Sequence, residues 1–139
     1  NEGPRLAGNV SQEFLLDMEF MKKIDWANFL GKICARWIKN ENGRDLKNFK
    51  IIKSWIVRQF KNEYNPLHYH SGHISGVGYL KIPKNLTKGD KKLKTNGTID
   101  FIYGSKSFLN NSIYNHIPKV GDLILFPNYS MFLIRSLTL

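Results

Sequence analysis

A chain of 139 residues and 16.1 kDa supports one hydrophobic core and excludes two independently folded domains. Hydrophobic residues at 42% and aromatics at 13% exclude a chain too polar to collapse, while a formal charge of +10 admits a polyanionic partner. A single cysteine, Cys34, excludes an internal disulfide and a cysteine-based zinc site, and no apolar run approaches the roughly 18 residues of a membrane span, so a cytoplasmic protein without a membrane partner is expected.

The chain divides in character near residue 45, with a helical segment over 1–45 and a strand-rich remainder over 46–139, all within one domain. From about Ser11 to Lys23, the spacing of Phe14, Leu15, Met18 and Met21 predicts a first amphipathic helix. Trp26, Phe29, Leu30, Ile33 and Trp37 recur at steps of three and four and predict a second, with Asp25 as its N-cap and Gly43 as its stop. Such aromatic stripes pack against a sheet far more often than they hold a cofactor, so no chemistry is assigned to them.

After residue 50 come short apolar or alternating runs at Ile51-Ile52, Trp55 to Val57, Ser75 to Pro83, Gly97 to Tyr103 and Leu123 to Pro127, separated by Asn, Gly and Pro clusters. Short strands without intervening helices predict a mainly β sandwich or barrel and argue against a parallel sheet. Between two of these strands, residues 84–96 carry Lys84, Lys88, Lys91, Lys92 and Lys94, which read as a solvated surface loop. Nucleic-acid binding through this loop is admissible but not favoured. Its lysines are not interleaved with aromatics, and much of the charge follows from an abundance of lysine, asparagine and isoleucine, the residues of AT-rich codons.

Three of the four histidines fall in Asn65-Pro66-Leu67-His68-Tyr69-His70-Ser71-Gly72-His73. On a strand, residues two apart share a face, so His68 and His70 offer two imidazoles to one point, a two-ligand edge for a transition metal. His73, three positions on, falls in a loop.

Taken together, His68-x-His70, Ser75-Gly76-Val77-x-Tyr79-Leu80, Gly97-x-Ile99-x-Phe101 and Pro118-x-x-Gly121-Asp122-Leu123-Ile124-Leu125-Phe126-Pro127 resemble the 2-oxoglutarate and iron(II)-dependent oxygenases common in marine phages and bacteria. Trp55-Ile56-Val57 fits the same pattern, and the likeness runs over about residues 50–132. The resemblance implies a double-stranded β-helix, or jelly roll, with the N-terminal helices packed on one sheet. It also implies an Fe(II) ion held by a His-x-Asp or His-x-His pair and a distal histidine, 2-oxoglutarate as cosubstrate, and hydroxylation of a substrate C–H bond. Carried over by position, His68 and His70 match the first two metal ligands and Tyr79 matches a cosubstrate-contacting phenol. The compartment is then the cytoplasm of a cell or of an infected host.

Departures from the family pattern are as informative as the matches. In relatives a distal histidine follows the Phe-Pro strand closely, but here Phe132 stands in that place. The family's cosubstrate-pairing arginine comes later than Arg135, and the tail Leu133 to Leu139 reads as truncated or frame-shifted against the family. His116 is a conceivable substitute ligand, expected in a loop. Two rival functions follow: a non-catalytic jelly-roll binding module, or a small basic nucleic-acid-binding domain.

Overall fold

The computed structural model describes residues 8–84, 86 and 95–136. Most of the lysine-rich loop, at 85 and 87–94, lies outside them, as does the tail from 137.

The chain opens with strand β1 (Gln12–Leu15), followed by helix α1 (Met18–Lys23) and helix α2 (Trp26–Asn42). The single helix expected from Ser11 to Lys23 is therefore a strand and a short helix. Asp17 divides them, because its extended backbone and a side chain that accepts from the Phe20 N–H at 2.8 Å make it an N-cap. For α2, Asp25 and Gly43 are the bounding residues, both with positive φ, and the Gly43 N–H closes the last turn on the Lys39 carbonyl. Of its stripe, Trp26, Leu30, Ile33 and Trp37 are half-buried and Phe29 is exposed. The two helices pack on each other, and Gly31 lets the Phe49 ring approach α2, so their main partners are one another and the segment after them rather than the face of a sheet.

The remaining strands are β2 (Trp55–Arg58), β3 (Asn65–His68), β4 (Ile74–Gly78), β5 (Ile99–Ile102), β6 (Ile113–His116), β7 (Leu123–Pro127) and β8 (Met131–Ile134). All pairings are antiparallel: β1 with β2, β4 with β7, and a four-stranded sheet in the order β3-β8-β5-β6. The protein is thus mainly β with two helices.

The four-stranded sheet and the β4–β7 ribbon share one core. Ile99 and Phe132 come from the sheet and Phe126 from the ribbon, with Val77, Tyr79, Phe101, Ile124 and Ile134 packed around them. Phe126 meets Phe101 and Phe132 edge-on, with ring centroids 4.9 and 5.0 Å apart, an arrangement contributing about 0.5–1.5 kcal/mol per pair beyond area burial.

Candidate metal centre

His68 closes β3, an edge strand whose path is set by Pro66. Between the cross-strand partners Asn65↔Ile134 and His68↔Phe132, β3 carries one residue more than β8. Proline has no N–H to give to the ladder, and an edge-strand bulge is where a sheet tolerates it. The freed Pro66 carbonyl accepts from His68 Nδ1 at 2.7 Å. His70 lies two residues past the strand's end, yet the alternation continues: Leu67 and Tyr69 are exposed while His68 and His70 turn inward, half-buried.

The two imidazoles thus share a face although the strand stops short. The imidazole centroids of His68 and His70 are 5.0 Å apart. With metal–nitrogen bonds of about 2.0–2.1 Å, two rings at that separation suit adjacent positions around one ion. The Phe132 ring sits 4.3 Å from His68 and 5.0 Å from His70, so the residue at the expected third-ligand position stands against both imidazoles. Trp55 meets His70 edge-on at 5.0 Å, with Lys53 over its ring. Burial, then the neighbouring His68 and Lys53, push the His70 pKa down to about 4, so it is neutral at pH 7 with a lone pair to give.

Each ring is also oriented from behind. A carbonyl only accepts, so His68 Nδ1 carries a proton, which in a neutral ring leaves the lone pair on Nε2. His70 Nδ1 lies 3.2 Å from Ser75 Oγ, and Ser75 in turn donates to Asn128. Neither Ser75 nor Asn128 was singled out from the sequence as a site residue; the only signal was their place at the edges of the Ser-Gly-Val and Phe-Pro motifs.

Tyr79 lies just past β4 and packs on the core, with its hydroxyl buried and without a hydrogen-bond partner among the described residues. Burial and the Asp122 carboxylate push its pKa up to about 12. His116 is not in a loop as expected: it closes β6 opposite Ile99, because Ile113 to His116 pairs residue for residue with β5. Its Nε2 is engaged with Asp122 Oδ2 at 2.8 Å, and its ring neighbours are Tyr79 and Tyr114.

Arg135 follows β8 and is committed to the protein itself. Its Nη2 lies 2.5 Å from Oδ2 of Asp100, which is 2% exposed, and Asn115 donates to the other carboxylate oxygen and to Thr98.

These features define a mainly antiparallel β protein with two inward-facing, back-oriented imidazoles at the edge of a shared core. A family model described as Putative 2OG-Fe(II) oxygenase matches residues 53–135, and the chain belongs to that family. No curated protein and no solved structure matches it.

The donor set meets only part of what the family implies. Two imidazoles on one face offer a divalent ion no more than a half-site. Among the described residues, no group of three His, Cys, Asp or Glu side chains gathers around an ion, and an arene has no lone pair with which to replace a third imidazole. Arg135 is already paired with a buried carboxylate, and among the described residues the Tyr79 hydroxyl is the buried donor left without a partner. The full iron and 2-oxoglutarate assembly does not fit these residues.

Proposed function

We propose that this chain is a jelly-roll protein of the iron(II) and 2-oxoglutarate hydroxylase type that binds one divalent metal ion through His68 and His70 and does not by itself turn over 2-oxoglutarate. The carrying observation is the arrangement of His68, His70 and Phe132, two imidazoles and one benzene ring with centroids 4.3–5.0 Å apart. The jelly-roll reading is supported by the path of the chain. From β3 to β8 it passes back and forth between the four-stranded sheet and the β4–β7 ribbon that share one core, as in a double-stranded β-helix.

What the residues do follows from their surroundings. His68 and His70 supply Nε2 lone pairs at a half-buried site where the Trp55 and Phe132 rings lie against the imidazoles and lower the local dielectric. Phe132 closes the position from which a third protein ligand would reach. The site therefore holds a metal weakly, and Arg135, paired with Asp100, is not available to the carboxylates of 2-oxoglutarate. The substrate class associated with the family, a molecule with an oxidisable C–H bond, has no assigned binder here. A non-catalytic metal-binding role follows from Phe132 and Arg135 together.

Cobalt(II) titration tests the reading, because the d–d spectrum reports nitrogen ligation directly. Binding by the native chain that is lost in His68→Ala and His70→Ala, without decarboxylation of 2-oxoglutarate in the presence of iron(II) and ascorbate, is the expected result. Robust decarboxylation by the native chain would overturn it.

A further inference from the structure

Asn128 follows β7 directly and is 7% exposed; Ser75, on β4, is 9% exposed. Asn128 makes two hydrogen bonds to the turn after His70 and a third to Ser75 on β4. Its backbone N–H donates to the His73 carbonyl at 3.1 Å, its Nδ2 donates to the Ser71 carbonyl at 2.5 Å, and its Oδ1 accepts from Ser75 Oγ.

The direction of every proton in this chain follows from one carbonyl. The Ser71 oxygen can only accept, so the amide must present its NH2 there and its oxygen to Ser75. An amide oxygen also only accepts, so the Ser75 proton points toward Asn128. The Ser75 oxygen is then left to accept from His70 Nδ1. A free neutral imidazole favours its proton on Nε2; here the network places it on Nδ1 and leaves Nε2 bare.

The turn is shaped for this contact. Gly72 has φ +105°, in the left-handed region, and a Cβ on it would lie 2.9 Å from Ile52 Cδ1 and 3.4 Å from Asn128 Nδ2. Glycine lets the Ser71 carbonyl come down on the Asn128 amide.

We propose that Ser75 and Asn128 are positioning residues: through their hydrogen-bonded relay they hold His70 as the Nδ1–H tautomer with its Nε2 lone pair free, and they anchor the 71–73 turn to β7. The inference rests on the metal half-site reading for its purpose but not for its existence, since the tautomer is a property of the metal-free chain. Outer partners of this kind orient a ligand histidine, and their loss typically weakens metal affinity by about 10–100-fold.

The test is a long-range 1H–15N correlation spectrum of the full, metal-free, 15N-histidine-labelled chain at pH 7.5, which distinguishes Nδ1–H from Nε2–H rings. In the native protein His68 and His70 both show the Nδ1–H pattern. In Ser75→Ala and in Asn128→Ala, His70 moves toward Nε2–H while His68, held by the Pro66 carbonyl, keeps its pattern and certifies the fold. Ser75→Ala removes a single hydroxyl and answers the question if Asn128→Ala does not fold. Cobalt(II) affinity falls by about 10–100-fold in Ser75→Ala and recovers in Ser75→Thr. A purely structural role would leave the tautomer untouched. An Nε2–H His70 in the native chain, or an unchanged Nδ1–H His70 in both alanine variants, would overturn the proposal. Expected tautomers without any cobalt binding would support the relay and sink the half-site reading instead.

Discussion

His68 and Phe132 are direct partners across the β3–β8 pair, with ring centroids 4.3 Å apart. An imidazole and a benzene ring thus occupy facing positions where two imidazoles would share an ion, and one substitution separates the two conditions. Phe132→His places a third imidazole beside the pair. Without metal it costs about 1–3 kcal/mol, because a polar ring replaces one that is 5% exposed in the core. Cobalt(II) should recover that loss and bind at least about 10-fold more tightly than to the native chain, read by paired thermal melts and titrations. Turnover of 2-oxoglutarate stays low, since Arg135 remains committed to Asp100.

That commitment is itself measurable. Asp100 is buried and its carboxylate is held by Arg135 and Asn115. Arg135→Met removes the charge partner and leaves the carboxylate behind, so chemical denaturation should show a loss of about 2–4 kcal/mol. Adding Asp100→Asn to that variant should return much of it. Equal stability of the single and double variants would show that the pair contributes nothing beyond its separate side chains.

The Tyr79 hydroxyl has no partner among the described residues and is buried. Tyr79→Phe should therefore leave the metal-free protein as stable as the native chain or raise its stability by up to about 1 kcal/mol. A clear destabilisation would reveal a hydrogen bond to this hydroxyl.

Asp122 has its pKa lowered, first by the Lys119 N–H and next by His116. A carboxylate with a depressed folded pKa binds fewer protons folded than unfolded. Its contribution is present above the ordinary value of 3.8 and is lost as pH falls through the lower folded value. Asp122→Asn should thus melt below the native protein by a constant margin above about pH 5, and the two curves should converge below pH 4. A margin that persists unchanged at pH 3 would assign the effect to packing.

Most of the strand pattern was legible because alternation and flanking turn residues act locally: β5 and β7 fall within the runs read from sequence, and β2 and β4 overlap theirs with one residue outside. β8 was not, since Met131 to Ile134 is a short apolar stretch whose strand character comes from lying between β3 and β5. β6 was missed for a related reason. Ile113-Tyr114-Asn115-His116 is mostly exposed and becomes a strand by pairing with β5. At the site, the i, i+2 rule put His68 and His70 on one face, as they are in the structure, and the family likeness drew attention to position 132. The relay from Asn128 to Ser75 was hidden, because 53 residues separate two side chains whose meeting depends on the β4–β7 register.

The extra residue at Pro66 makes the site depend on chain length as well as on residue identity. His68 shares the inward face of Phe132 because the bulge absorbs the extra residue: three steps along β3 from Asn65 match two along β8 from Ile134. Deleting Pro66 would restore an even ladder with His68 still opposite Phe132, so both imidazoles would keep their face while His68 Nδ1 would lose the Pro66 carbonyl that orients its ring. The slack of one bulge residue thus sets the orientation of the first imidazole rather than its side of the sheet.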